Sequence, residues 1–147
     1  MKKTVLAVLI IALLAVSCKS GPQINEDTPV SDETFRSIYN RYSGDLILEG
    51  AETYTVQSGD TLSAIARRVY QDGFYYPLIM LASSSIVLDP DKIMPGMELT
   101  IPNLQTNLDS RRARAAIKGV IMDCAQLESN RGREETARGL RNHADSL

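Results

Sequence analysis

Cysteine, histidine, excess positive charge and long apolar runs are all scarce in this chain, and each scarcity excludes a class of protein. Two cysteines, Cys18 and Cys124, are too few for a disulfide framework. With His143 the single histidine, near the C-terminus, the chain offers no zinc-ligand set and no histidine placed for a catalytic role. The formal net charge is −2, which argues against nucleic acid as a partner, since that needs a strongly basic face. The surplus is uneven. Residues 105–147 carry 8 basic and 6 acidic side chains, whereas 18–104 carry 6 and 12. The uninterrupted apolar run Val5–Val16 has 12 residues, short of the roughly 20 that a spanning helix needs. A length of 147 residues allows one small domain with an appendage, not a large enzyme.

The N-terminus reads as an address. Lys2 and Lys3 precede the apolar run, as in a secretory signal peptide over residues 1–17. Leu14-Ala15-Val16-Ser17-Cys18 resembles the lipobox of bacterial lipoproteins, although Ala15 stands where that pattern usually has leucine. The resemblance implies cleavage before Cys18 and lipidation of its sulfur and amine. Two or three acyl chains hold a membrane stably, whereas one does so marginally. Lys19 in place of aspartate implies the outer membrane rather than the inner, facing the periplasm. Residues 18–30 are polar, contain Gly21, Pro22 and Pro29, and form a tether. From Lys19 the leash reaches at most roughly 40 Å.

Within 31–50, Ser31 is placed to cap a helix ending near Tyr42. Phe35, Ile38, Tyr39 and Tyr42 share one face of it, a core stripe that needs a partner. Farther on, Glu52 to Val56 alternates as a strand does, and Ser58-Gly59 turns the chain. Asp60 is the expected cap of a helix over 61–70, with Leu62, Ile65, Ala66, Val69 and Tyr70 on its apolar face. Asp72-Gly73 ends that helix, and Pro77 opens a second one running to about Ser84. Pro95-Gly96 makes a turn into a strand in which Met97, Leu99 and Ile101 alternate with polar residues. The order is strand, helix, helix, strand.

These residues resemble the LysM family. The opening YTVQSGDTLSAIA and the closing DPDKIMPGMELTIP carry the likeness, which covers about a third of the chain as a domain over 51–103. It implies an α+β fold with a two-stranded antiparallel sheet in a βααβ order, flanked by N- and C-terminal helices. It also implies a shallow groove for N-acetylglucosamine-containing glycan such as peptidoglycan. By position, one side of that groove is Gly59, Asp60, Thr61 and Leu62, and the other is Asp89, Pro90, Asp91 and Ile93. Neutral acetamido sugars need backbone donors and acceptors and an apolar surface; Leu62 and Ile93 are the expected apolar contacts. Ser83 and Asp89 stand where the family commonly has asparagine, which bears on the groove's hydrogen bonding.

The extension over 104–147 is helical from about Asn107. Ala113, Ile117, Val120, Ile121, Cys124 and Leu127 or Glu128 form an apolar stripe, capped by Asp109 or Ser110. The early cluster Arg111, Arg112 and Arg114 is expected to be a solvated face, placed unfavourably for the helix dipole. Asn130-Arg131-Gly132 breaks the helix before a weaker one over Glu134 to Asn142. Cys124 is expected to be buried and inert, and His143 to lie in a frayed terminus. The Phe35 helix is the expected partner of the stripe.

The whole reads as a non-enzymatic tether, with no metal and no cofactor beyond the lipid on Cys18. Its partners are peptidoglycan strands and, through the lipid, a membrane. The alternative is a scaffold whose C-terminal helices bind an envelope protein while the LysM-like fold is structural. A wall hydrolase is disfavoured, because Glu134-Glu135 lies in a charged helix rather than a pocket.

Overall fold

The computed structural model describes residues 32–147. Cys18, the apolar run, the tether and Ser31 lie outside the described residues, so the expectations for them rest on sequence alone.

The fold is α+β. Helix α1 (Asp32–Tyr42) leads through a short 3-10 turn (Ser43–Asp45) to strand β1 (Glu52–Thr55). Helix α2 (Leu62–Tyr70), a second 3-10 turn (Gly73–Tyr75) and α3 (Tyr76–Ala82) follow. A third such turn (Pro90–Lys92) precedes strand β2 (Glu98–Ile101). The extension forms α4 (Leu104–Asp109), α5 (Arg111–Asn130) and α6 (Glu134–Asp145).

β1 and β2 pair antiparallel, with Tyr54 opposite Leu99 and Glu52 opposite Ile101. The Val56 amide to the Met97 carbonyl and the Gly96 amide to the Val56 carbonyl, both 2.9 Å, prolong the ladder. Two strands alone are marginal in water. Burial of Val56, Leu99 and Ile101 against α2 and α3 supplies the missing stability. Pro77 sits in the first turn of α3, where its absent N–H costs nothing, and Leu78 to Leu81 are all buried.

The C-terminal helices are part of the same core. The stripe of α5 buries Ala113, Ile117, Val120, Ile121 and Cys124, and α5 packs against α1, α3, α4 and α6. Phe35, Ile38 and Tyr39 of α1 enter the same cluster, and Arg41 pairs with Asp123 of α5 at 2.7 Å. Tyr39 donates to the Val87 carbonyl at 2.5 Å, tying α1 to the loop before β2. Cys124 is 2% exposed, and burial pushes its thiol well above the usual range, away from the reactive thiolate.

Four local expectations are corrected. Thr61, not Asp60, caps α2: its hydroxyl accepts from the Ala64 amide at 3.2 Å. Val69 is 37% exposed, at the rim of a surface hollow with Gly50, Tyr70 and Pro102. Beside it Tyr70 closes the last turn of α2 by donating to the Pro102 carbonyl at 2.9 Å.

Ser110, one of the two residues expected there, caps the long helix α5, and the short helix α4 precedes it. Asn107 is fully buried; its carboxamide bonds both the amide (2.9 Å) and the carbonyl (2.8 Å) of Ile47, and so anchors the stretch before β1. Two of the three early arginines are engaged rather than merely solvated. Arg112 pairs with Asp45 at 2.5 Å, and Arg114 donates to the Leu108 carbonyl at 2.6 Å, near the end of α4.

The fourth correction is His143. It lies within α6, which extends to Asp145, and meets the Tyr75 ring edge-on with centroids 4.4 Å apart. Its Nδ1 stands 3.2 Å from Asp72. Burial lowers its pKa against the pull of Asp72.

Candidate functional site

The chain reverses between β1 and α2 at Gly59, whose φ of +85° an ordinary side chain would strain. Asp60 then holds the turn. Its carboxylate accepts from the Tyr54 hydroxyl at 2.7 Å and the Gln57 amide at 2.9 Å, and pairs with Arg68 at 3.2 Å. Arg68 also donates to the Tyr54 hydroxyl. The Tyr54 and Gln57 hydrogen bonds hold the Asp60 carboxyl below the ordinary range. Asp60 is therefore committed to the loop's own shape.

The second loop is built differently. Asp89 caps the turn Pro90–Lys92, accepting from the Asp91 amide at 3.0 Å, and pairs with Lys92 at 3.2 Å. Asp91 reaches out to the junction of α5 and α6, where Arg131 lies at 2.8 Å and Arg133 at 3.0 Å. Arg133 also meets Glu128 at 2.8 Å, and Glu128 is largely buried. Partial burial opposes ionisation of Asp91, but Arg133, Arg131 and Lys92 outweigh it and hold its carboxyl below the usual range. For Glu128 the balance is reversed. Burial outweighs the two arginines, so its carboxyl is raised.

Between the loops lies a cleft of about 200 Å³ lined by Thr61, Leu62 and Ser63 on one side and by Pro90 and Asp91 on the other. Tyr76, Glu128, Arg133 and Thr136 complete its walls. Four of the expected site residues thus line one space: Thr61, Leu62, Pro90 and Asp91. Gly59, Asp60, Asp89 and Ile93 do not line it. Gly59 and Asp60 shape the first loop, Asp89 caps the second from beneath, and Ile93 is half-buried against the core. Leu62 is only 3% exposed, so it shows the cleft little apolar surface.

Ser83 belongs elsewhere. It is buried and its hydroxyl accepts from the Thr100 amide at 2.9 Å, joining α3 to β2. Sequence reasoning missed the contribution of Tyr76 and of the three extension residues. One signal was available: Glu128 falls on an otherwise apolar stripe, and a carboxylate there needs partners.

The fold and the two loops define the class. Residues 54–102 match the LysM domain model, and the chain contains one LysM domain. LysM domains bind glycan chains such as peptidoglycan and are generally binding modules rather than enzymes.

Among individual proteins, the chain is similar to the Potassium binding protein Kbp of Escherichia coli O6:H1. The two are 48% identical over 52 residues, which cover 35% of each chain. It is also similar to Esterase Rv1288 of Mycobacterium tuberculosis, 46% identical over 56 residues, or 38% of this chain and 12% of that one. The chain therefore spans about a third of the first relative and about an eighth of the second. No solved structure matches significantly.

Proposed function

We propose that this protein binds the glycan strands of peptidoglycan in the cleft between its two LysM loops. It holds a membrane to the wall through a lipid on Cys18. The observation that carries the reading is the cleft itself, where Thr61, Ser63 and Asp91 present hydroxyl and carboxylate groups on a LysM framework. The cleft is small beside drug-sized ligand pockets of roughly 300–1,000 Å³, which fits a short stretch of sugar and modest affinity for a single site. A leash of at most roughly 40 Å from the anchor keeps that site near its polymer and raises the effective concentration. In this reading the protein faces the periplasm from the outer membrane and performs no catalysis.

Co-sedimentation of the mature chain with purified sacculi tests it. Wild type is expected to pellet with the sacculi. Thr61→Trp, which fills the cleft from an exposed position, is expected to stay in solution. A wild-type chain that does not pellet overturns wall binding. Cross-linking that recovers a stoichiometric envelope protein whatever the cleft variant supports the scaffold reading instead. The lipid is tested separately, by mass spectrometry of the membrane-extracted protein and of Cys18→Ala.

A further inference from the structure

The glycan cleft does not end at Ser63. A second space of about 380 Å³ adjoins it and shares Ser63, Tyr76 and Thr136 with it. Its remaining lining comes from the far end of α2 and the turn that follows: Arg67, Gln71, Asp72, Gly73 and Phe74. The shared residues form a rim between the two spaces, so a ligand seated in the first can extend into the second.

The chemistry of the two spaces differs. In the first, the charges neutralise one another: Arg131 and Arg133 are paired with Asp91 and Glu128. In the second, the carboxylate is occupied and the cation is free. Asp72 accepts from the Phe74 amide at 2.8 Å and faces His143 at 3.2 Å. Arg67 is exposed and makes no ion pair among the described residues. Its guanidinium lies beside Gly73, where an added Cβ would come within 3.4 Å of Nη2 and 3.1 Å of the Ser63 carbonyl. The bare backbone at Gly73 thus lets the turn approach the Ser63 carbonyl closely, with the Arg67 guanidinium in ordinary contact beside it. Gln71, at a left-handed φ of 64° rarely held by residues with long side chains, and Phe74, a residue 37% exposed, complete the surface.

A free guanidinium is suited to a carboxylate, which it can grip with two parallel hydrogen bonds. A chain of bare N-acetylglucosamine carries no carboxylate, whereas the peptide stems of peptidoglycan do. Resting on the glycan reading above, we propose that the cleft continues into a second subsite, centred on Arg67, that takes the carboxylate-bearing peptide stem of a wall repeat. The protein then recognises stem-bearing glycan in preference to stripped glycan.

Calorimetry on the full mature chain decides it, with three probes. These are a tetramer of N-acetylglucosamine, the wall disaccharide bearing its tetrapeptide, and the same disaccharide freed of peptide, with the lactyl carboxylate that peptide removal exposes capped as its amide. Wild type is expected to bind the stem-bearing disaccharide about tenfold more tightly than the stripped one, the worth of one charge-assisted contact. Arg67→Gln is expected to abolish that difference, leave binding of the tetramer unchanged and keep the wild-type melting temperature. Thr136→Trp, at the shared exposed rim, is expected to weaken all three probes.

Equal affinity for the two disaccharides, or a preference that survives Arg67→Gln, overturns the stem subsite while the glycan reading stands. Failure of wild type to bind any of the three overturns both.

Discussion

The two loops that face each other across the cleft are held by opposite strategies. The first is self-contained: Gly59 makes the turn, and Asp60 is secured by Tyr54, Gln57 and Arg68, all within the LysM domain. The second is secured from outside. Asp91 is pinned by Arg131 and Arg133, more than 35 residues away in sequence, with the buried Glu128 between them. One wall of the site would survive transplantation of the domain; the other depends on the extension. An appended helix pair has become part of the wall of the cleft.

The largest expected effect tests that dependence directly. Ile117 is fully buried where α5 meets the rest of the core. Ile117→Asp places an unpaired charge there and is expected to cost about 4 kcal/mol or more. Urea denaturation should show one cooperative loss of the whole described fold. An independent transition for the extension, with the LysM domain intact, would contradict a shared core.

A smaller effect separates the loops. Arg131→Ala with Arg133→Ala leaves Glu128 buried without its cations, at an expected cost of about 2 kcal/mol. Amide exchange should then accelerate in residues 89–93 and not in 57–61. Tyr54→Phe is the reciprocal variant and should loosen 57–61 alone. If either variant loosens both loops, the walls are not independently held.

The smallest effect concerns pH. Burial, opposed by Asp72, gives His143 a pKa in the folded state below its ordinary value of about 6.5. A neutral folded histidine contributes stability that is full above the unfolded pKa and declines as pH falls toward the folded one. The melting temperature is therefore expected to drop between pH 7 and 5, and His143→Phe to flatten that drop. Below about pH 4, protonation of Asp60 and Asp91, both depressed, adds a further loss that the histidine variant keeps.

Much of the fold was legible because its signals are local. The apolar spacing of α1 and α5, Pro77 at the start of α3, and the alternation in β2 each lie within one element. The candidate site was half legible. Its two loops were found, but only Thr61, Leu62, Pro90 and Asp91 of the eight expected residues line the cleft. The choice between Asp60 and Thr61 as the cap of α2 turned on Tyr54 and Arg68, which draw the aspartate away from the helix end. No pattern within the loop carries that information.

Most of the elements, the LysM domain and the positions of its two loops were settled by the amino-acid sequence, because helix periods and turns depend on neighbouring residues. Only the tertiary structure decided what stands around the cleft. Tyr76, Glu128, Arg133 and Thr136 converge there from α3 to α6, and the charges of the extension close a network on the loop of another segment. Such convergence depends on how helices pack, and the burial that makes a charge seek partners arises only once they have packed.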